Sequence, residues 1–313
     1  MPETTSIAGP ILAAIGKTPA VRLRKIVAPG SADVIVKLEY YSPTGSYKDR
    51  LALAMIEDAE ARGDLRPGMR VVEYTGGSTG SSLAMVCAVK GYRFIAVSSD
   101  AFATEKLETM RAFGAELLVV PSEGKGITSD LMSRMKSEVE KLAQEGNTFF
   151  TDQFNNQDAI AGYGAIGTEL IEQLRGNLST FCAGVGTAGM LVGVSRALRA
   201  AGSRARIVAL EPASSPFLTA GKSGAHRIEG IGIGYMPPHL QPGDYDEARA
   251  VEESEAREVA RRLAREEGIF AGTSSGLNVA AALRLAKELG PGNTVATVAV
   301  DSGLKYLQGD LYH

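Results

Sequence analysis

The sequence predicts an α/β protein with largely parallel sheets flanked by helices. Three observations lead there. Short β-branched runs alternate with longer amphipathic stretches. Most of the runs are almost continuously apolar, as in strands buried on both faces. The glycines, 36 in 313 residues, exceed the usual share of about 7% and cluster where strands give way to helices. At roughly 150 residues per domain, the length points to two domains.

The predicted strands are 33–38, 70–74, 93–98, 116–120, 179–183, 206–211 and 294–300. Between them lie helical patterns. Residues 104–113 place Leu107, Met110 and Phe113 at helical spacing, and 253–267 place Ala256, Val259, Ala260, Leu263 and Ala264 on one face. Arg257, Arg261, Arg262 and Arg265 read as the solvated face of that second helix. Further helices are expected over 81–89 and 190–200.

Composition removes several function classes. With 33 Lys+Arg against 36 Asp+Glu, the net charge is −3, so there is no basic footprint and no nucleic-acid partner is expected. Cys87 and Cys182 are the only cysteines; they form no disulfide framework or Cys-rich zinc site and read as small core residues. His226, His239 and His313 show no metal-ligand spacing, and no metal is expected. No run reaches the ~18 apolar residues of a membrane span. The N-terminus lacks the basic start and apolar stretch of a signal peptide. A cytoplasmic location is the expectation.

Three glycine-containing loops carry the chemistry. In open α/β sheets, ligands bind beyond the carboxyl ends of the strands. A helix N-terminus there offers free N–H groups and a positive dipole to an anion. The first loop is Ser42-Pro43-Thr44-Gly45-Ser46-Tyr47-Lys48-Asp49-Arg50. Ser46 and Asp49 fit the Ser-x-x-Asp capping pattern, which starts a helix there. Lys48 then falls in the first turn, where the dipole disfavours an ammonium and favours the neutral, reactive amine.

The second loop, Thr75-Gly76-Gly77-Ser78-Thr79-Gly80, is a carboxylate or phosphate cradle. It also contains a literal Gly-x-Ser-x-Gly, the nucleophile elbow of serine hydrolases, for which Ser78, Asp301 and His313 are in suitable order. The third, Gly184-Val185-Gly186-Thr187-Ala188-Gly189, matches G-x-G-x-x-G between a strand and a helix. With Glu211 further on, it fits a dinucleotide site; the phosphate of a smaller cofactor accounts for the same glycines.

Together these segments resemble the fold type II pyridoxal-phosphate enzymes, the cysteine synthase (O-acetylserine sulfhydrylase) and cystathionine β-synthase group. The resemblance runs from Ile15-Gly16-Lys17-Thr18-Pro19 to Tyr306-Leu307 and includes HRIEGIGIGYMPPHL and GIFAGTSSG. It implies a tryptophan synthase β-like fold, with a smaller mobile domain over 45–150 and a larger cofactor-binding domain over 1–44 plus 151–313. The implied cofactor is pyridoxal 5'-phosphate, with Lys48 as Schiff-base lysine and general base. Gly186, Thr187, Ala188 and Gly189 would hold its phosphate, Ser274 would face its ring nitrogen and Ser78 its ring oxygen. Thr75, Gly76, Gly77, Ser78, Thr79 and Gln153 would hold the substrate carboxylate, and Gly230, Ile231 and Gly232 would lie in a mobile substrate-binding segment.

The implied reaction is β-replacement on O-acetylserine, O-phosphoserine or serine through an aminoacrylate that accepts sulfide or a thiol. A β-eliminating lyase or dehydratase is the alternative on the same scaffold. The family also implies a homodimer, in line with the prevalence of two-fold dimers. Three positions depart from the family pattern. Gly76 and Ser78 stand where T-S-G-N-T-G has Ser and Asn, which puts substrate preference in question. Met190 stands where a hydroxyl residue is usual, a lost phosphate hydrogen bond of about 1.5–3 kcal/mol if unreplaced.

Overall fold

The structure, a computed structural model, describes residues 9–124 and 128–313. In chain order the strands and helices are β1 (Ala20–Arg22), β2 (Asp33–Leu38), α1 (Lys48–Arg62), β3 (Arg70–Tyr74), α2 (Ser78–Lys90), β4 (Arg93–Ser99), α3 (Thr104–Ala112) and β5 (Glu116–Val120). There follow α4 (Ser129–Gln144), β6 (Thr148–Phe150), α5 (Gln157–Leu174), β7 (Thr180–Gly184), α6 (Gly189–Ala200) and β8 (Arg206–Pro212). The chain continues through α7 (Phe217–Ala220), β9 (Glu247–Val251), α8 (Glu253–Arg262), α9 (Thr273–Leu289) and β10 (Thr294–Ala299).

The strands form two sheets. One has the order β1-β2-β10-β7-β8-β9, the other β5-β4-β3-β6. All pairings are parallel except β1 with β2. Strand non-neighbours in sequence, such as β2 and β10, pair in space because each parallel step needs a crossover helix. One apolar cluster joins the helices between the sheets: Leu51 and Met55 of α1, Leu83 of α2, Ile166 of α5 and Leu191 of α6 are all buried within it. Their burial fixes α1 and α2, and therefore the loops that precede them, against α5 and α6. Cys87 and Cys182 are fully buried, and burial pushes both thiols up to about 12.

Three expectations are corrected. The Ser46–Asp49 capping box does not form: α1 starts at Lys48 after Tyr47, Ser46 Oγ accepts the Lys48 N–H (3.2 Å), and Asp49 turns to the N–H (2.8 Å) and hydroxyl (2.6 Å) of Thr44. The helix expected over 253–267 is α-helical only to Arg262, and Leu263–Glu267 widens into a π-helical turn. Two arginines of its supposed solvated face are engaged with the C-terminus: Arg257 donates to the Asp310 carbonyl (2.8 Å) and Arg261 to that of Leu311 (2.8 Å).

Candidate active site

The three loops meet at the carboxyl ends of β3, β7 and β10. Val300, just past β10, ties two of the site's helices together: its N–H donates to Ser275 Oγ in α9 (3.0 Å), and its carbonyl accepts the Tyr47 N–H ahead of α1 (2.9 Å). Asn278 joins the strand ends, accepting the Gly184 N–H (2.7 Å) and donating to the Val298 carbonyl (2.9 Å). Ser274 lies buried in the first turn of α9.

Lys48 occupies the first position of α1, as expected, and is half-buried. Its Nζ stands 4.8 Å from the Tyr47 ring centroid and 5.8 Å from that of Tyr163. The two rings stack at 5.2 Å. Burial lowers the Lys48 pKa to about 8, although Glu73 pulls the other way. At pH 7 about one amine in ten is then neutral, against fewer than about one in a thousand for an unperturbed lysine.

Tyr163 links Lys48 to the third loop, since a Cβ at Gly189 would lie 3.4 Å from its ring. That loop is a cradle only a bare backbone can form. A Cβ on Gly186 would sit 2.0 Å from the Gly230 carbonyl oxygen. Ala188 adopts a left-handed conformation (φ 68°) at the cap of α6, and no side chain caps that helix. Strain of this kind in a non-glycine residue clusters at ligand sites. The Tyr163 ring beside Gly189 is fully buried. We expect Gly186→Ala to displace the Gly230 backbone and to weaken binding of a phosphate here at least about tenfold, within the 1–3 kcal/mol typical of overpacking.

Gly230, Ile231 and Gly232 pack on this third loop. The Gly232 N–H donates to the Val185 carbonyl (2.9 Å), and Ile231 lies against Gly184. Gly232 has φ +66°, and a Cβ there would meet His226 Nε2 at 2.7 Å. His226 is held by backbone: Nε2 donates to the Gly232 carbonyl (2.9 Å) and Nδ1 accepts from Ile228 (3.3 Å). The segment also meets α3, where Lys106 pairs with Glu229.

The second loop is partly helical, because α2 starts at Ser78 rather than 81. Thr75 and Thr79 are buried. Thr79 Oγ1 donates to Gln153 Oε1 (2.8 Å), so the loop and Gln153 are brought together. No side chain caps α2. The absent side chain at position 76 has a structural counterpart: a Cβ there would lie 2.0–2.2 Å from three ring atoms of Phe102. We expect Gly76→Ser alone to destabilise the protein and Gly76→Ser with Phe102→Ala to recover most of the loss. The coupling should be about 1–3 kcal/mol in a double-mutant cycle read by denaturation, as for residues in direct contact. Ser78 Oγ accepts from Lys305 Nζ (3.1 Å). Met190 is a buried core residue.

Two alternatives fall on this geometry. Ser78 has Lys305 as its partner, Asp301 accepts from the Tyr306 hydroxyl (2.7 Å), and His313 bonds the Leu307 carbonyl (2.9 Å), so the three do not form a hydrolase triad. Glu211 is not free for a ribose, since its carboxylate takes the N–H groups of Leu218 (2.6 Å) and Thr219 (2.8 Å). Glu73, Phe102, Tyr163 and Lys305 were not singled out from the sequence. Only Glu73 left a signal there, as one carboxylate inside the apolar run Val71-Val72-Glu73-Tyr74.

A family model described as pyridoxal-phosphate dependent enzyme matches residues 11–301. The chain belongs to this family. Over 300 residues it is 43% identical to a cysteine synthase of Staphylococcus aureus, covering 95% of each chain. An O-ureido-L-serine synthase crystal structure superposes with a TM-score of 0.88 at 38% identity, covering 96% of this chain and 94% of that one. The O-acetyl serine sulfhydrylase isoform 3 of Entamoeba histolytica superposes with a TM-score of 0.91 at 32% identity, over 100% and 93% of the two chains. The fold is thus that of the fold type II enzymes of this family.

The residues present fit the family's cofactor. An uncapped helix N-terminus behind a glycine cradle suits its phosphate, and a lysine held partly neutral suits its aldehyde. Among the described residues no helix is long and apolar enough to cross a membrane.

Proposed function

We propose that this pyridoxal-phosphate dependent enzyme catalyses β-replacement on an activated serine, making cysteine from O-acetylserine and sulfide. The observation that carries the reading is the Lys48 amine, half-buried at the start of α1 with its pKa lowered to about 8. The likeness to a cysteine synthase at 43% identity supports it. When bound, pyridoxal phosphate supplies an aldehyde for an amine and a ring that acidifies the substrate α-carbon.

The chain's own residues do the rest. Lys48 would hold the cofactor through its amine, and that amine, when free, would accept the substrate α-proton on Nζ. The N–H groups of Gly186, Thr187, Ala188 and Gly189 would hold the phosphate. Thr75, Gly76, Gly77, Ser78 and Thr79, with Gln153, bind the substrate carboxylate. Ser274 would face the ring nitrogen as a neutral hydroxyl partner and leave the ring a weaker electron sink than a charged partner would. Closure of the smaller lobe, built on the β5-β4-β3-β6 sheet, would cover the site and exclude water.

The test is the visible spectrum of the purified protein and its products. O-acetylserine shifts the absorbance of the yellow holoenzyme, and sulfide then restores it with release of cysteine. Pyruvate and ammonia as the main products with sulfide present would assign the chain to β-elimination. An absorbance unmoved by any amino acid would remove catalysis altogether.

A further inference from the structure

Glu73 is fully buried on β3, between residues that are themselves buried. Burial raises its carboxyl to about 8, against the hydrogen bonds it accepts. A polar carboxyl group held in such a place is costly unless its acceptors are used. Here they are. Oε1 accepts the Tyr74 N–H (3.0 Å), and Oε2 accepts the Thr151 hydroxyl (2.7 Å) and the Gln153 N–H (3.0 Å).

Two of these donors bracket Asp152, whose φ of +45° lies in the left-handed region that non-glycine residues avoid. The carboxyl group, through its two oxygens, thus grips both sides of a strained turn. The turn fixes Gln153, whose Oε1 accepts from Thr79 Oγ1 (2.8 Å) and whose Nε2 donates to the Tyr74 carbonyl (3.4 Å). His239 Nε2 donates to the Gln153 carbonyl (3.1 Å) and closes the other side.

We propose that Glu73 is a positioning residue for substrate recognition: it holds the 151–153 turn so that Gln153 and Thr79 face the substrate carboxylate together. The proposal rests on the assignment of the Thr75 loop and Gln153 to that carboxylate. Glu73 acts through Gln153 and Thr79 rather than by touching substrate or cofactor.

The experiment uses the holoenzyme, with L-serine and L-serinamide titrated separately and read by the absorbance of the bound cofactor. In Glu73→Gln the new amide N–H₂ must face Tyr74 N–H or the Thr151–Gln153 pair, leaving donor against donor. The L-serine dissociation constant rises about tenfold, the scale of one badly disrupted hydrogen bond near a charged group. L-Serinamide, which lacks the carboxylate, binds variant and wild type alike. In turnover of O-acetylserine the loss falls on KM rather than on kcat, as for a binding interaction kept through the reaction. Thr151→Val, which removes one of the three donors, shifts the L-serine constant in the same direction.

An unchanged L-serine constant in Glu73→Gln, or equal losses for acid and amide, overturns the proposal. If Glu73→Gln does not fold, an unchanged constant in Thr151→Val overturns it instead. If wild type does not distinguish L-serine from L-serinamide, the carboxylate-loop assignment itself fails, and that outcome is separate from a failure of Glu73.

Discussion

Lys48→Ala is expected to lose colour and turnover together. Purified wild type should be yellow with lysine-bound cofactor, and the variant should lack that absorbance. kcat/KM should fall about a thousandfold or more, because the same amine serves as covalent anchor and general base, and a positioned base alone contributes 10²–10⁴-fold. The fold should survive: Lys48 is half-buried at a helix start, where its charge is unfavourable to the dipole in any case. A melting temperature near that of wild type would separate this chemical loss from unfolding. The pH dependence follows from the lowered pKa. With the amine titrating at about 8, the reactive neutral fraction falls about tenfold per pH unit below that value. Cofactor uptake by apoenzyme should therefore slow as pH drops below 8 and level off above it. Retained colour and activity in Lys48→Ala would remove the lysine from the mechanism.

The loops were legible in the sequence because glycine reports backbone proximity. Gly186 is required where the Gly230 carbonyl comes within 2.0 Å of a would-be Cβ, and Gly76 where the Phe102 ring sits. The long apolar strands were legible for a similar reason, since strands covered on both faces have no polar side to obscure them. β1 (Ala20–Arg22), β6 and β9 were not read. β6 is only Thr148–Phe150. β9, Glu247–Val251, closes the edge of its sheet and is only half-buried for most of its length, so its charges hide the period. What no local pattern could supply is the set of contacts made across the fold. Lys305 reaches Ser78 from 227 positions away, and Tyr163 meets Lys48 from another helix. The failed capping box makes the same point. Ser46 and Asp49 have the right spacing, but Thr44 offers Asp49 two donors and Ser46 is drawn toward Asp301 by a strand-like bridge.

Arg50→Met should be the most destabilising single change near the site. The guanidinium, two residues after Lys48 on α1, is 4% exposed and holds two carboxylates. It bonds both oxygens of Glu39 (2.6 and 2.8 Å) and both of Glu169 (2.7 and 2.9 Å). Lys37 Nζ pairs with Glu169 as well (2.6 Å). The Ile15-Gly16-Lys17-Thr18-Pro19 segment joins this network: Thr18 donates to Glu39 (2.6 Å) and the Lys17 N–H to Glu169 (3.0 Å). A Cβ at Gly16 would press on Arg50 Nη1 at 2.9 Å. Removing one partner of a buried ion pair leaves charge uncompensated and costs about 3–5 kcal/mol. Burial opposes the Glu169 charge, but Arg50 and Lys37 outweigh it and hold the carboxyl at about 2. That contribution is complete above the usual carboxylate range and is lost as pH falls through about 2. The gap in melting temperature between wild type and Arg50→Met should therefore be widest near neutral pH and narrow in acid. Arg62, at the other end of α1, provides the control. It also grips two carboxylates, Asp64 and Asp158, but is half exposed, so water and salt screen it and Arg62→Met should change stability little. Equal losses at the two ends would mean that burial does not set the strength of these pairs. A loss confined to Arg50, accompanied by weaker cofactor binding, would mean that the network fixes the start of α1 and with it the amine two residues earlier.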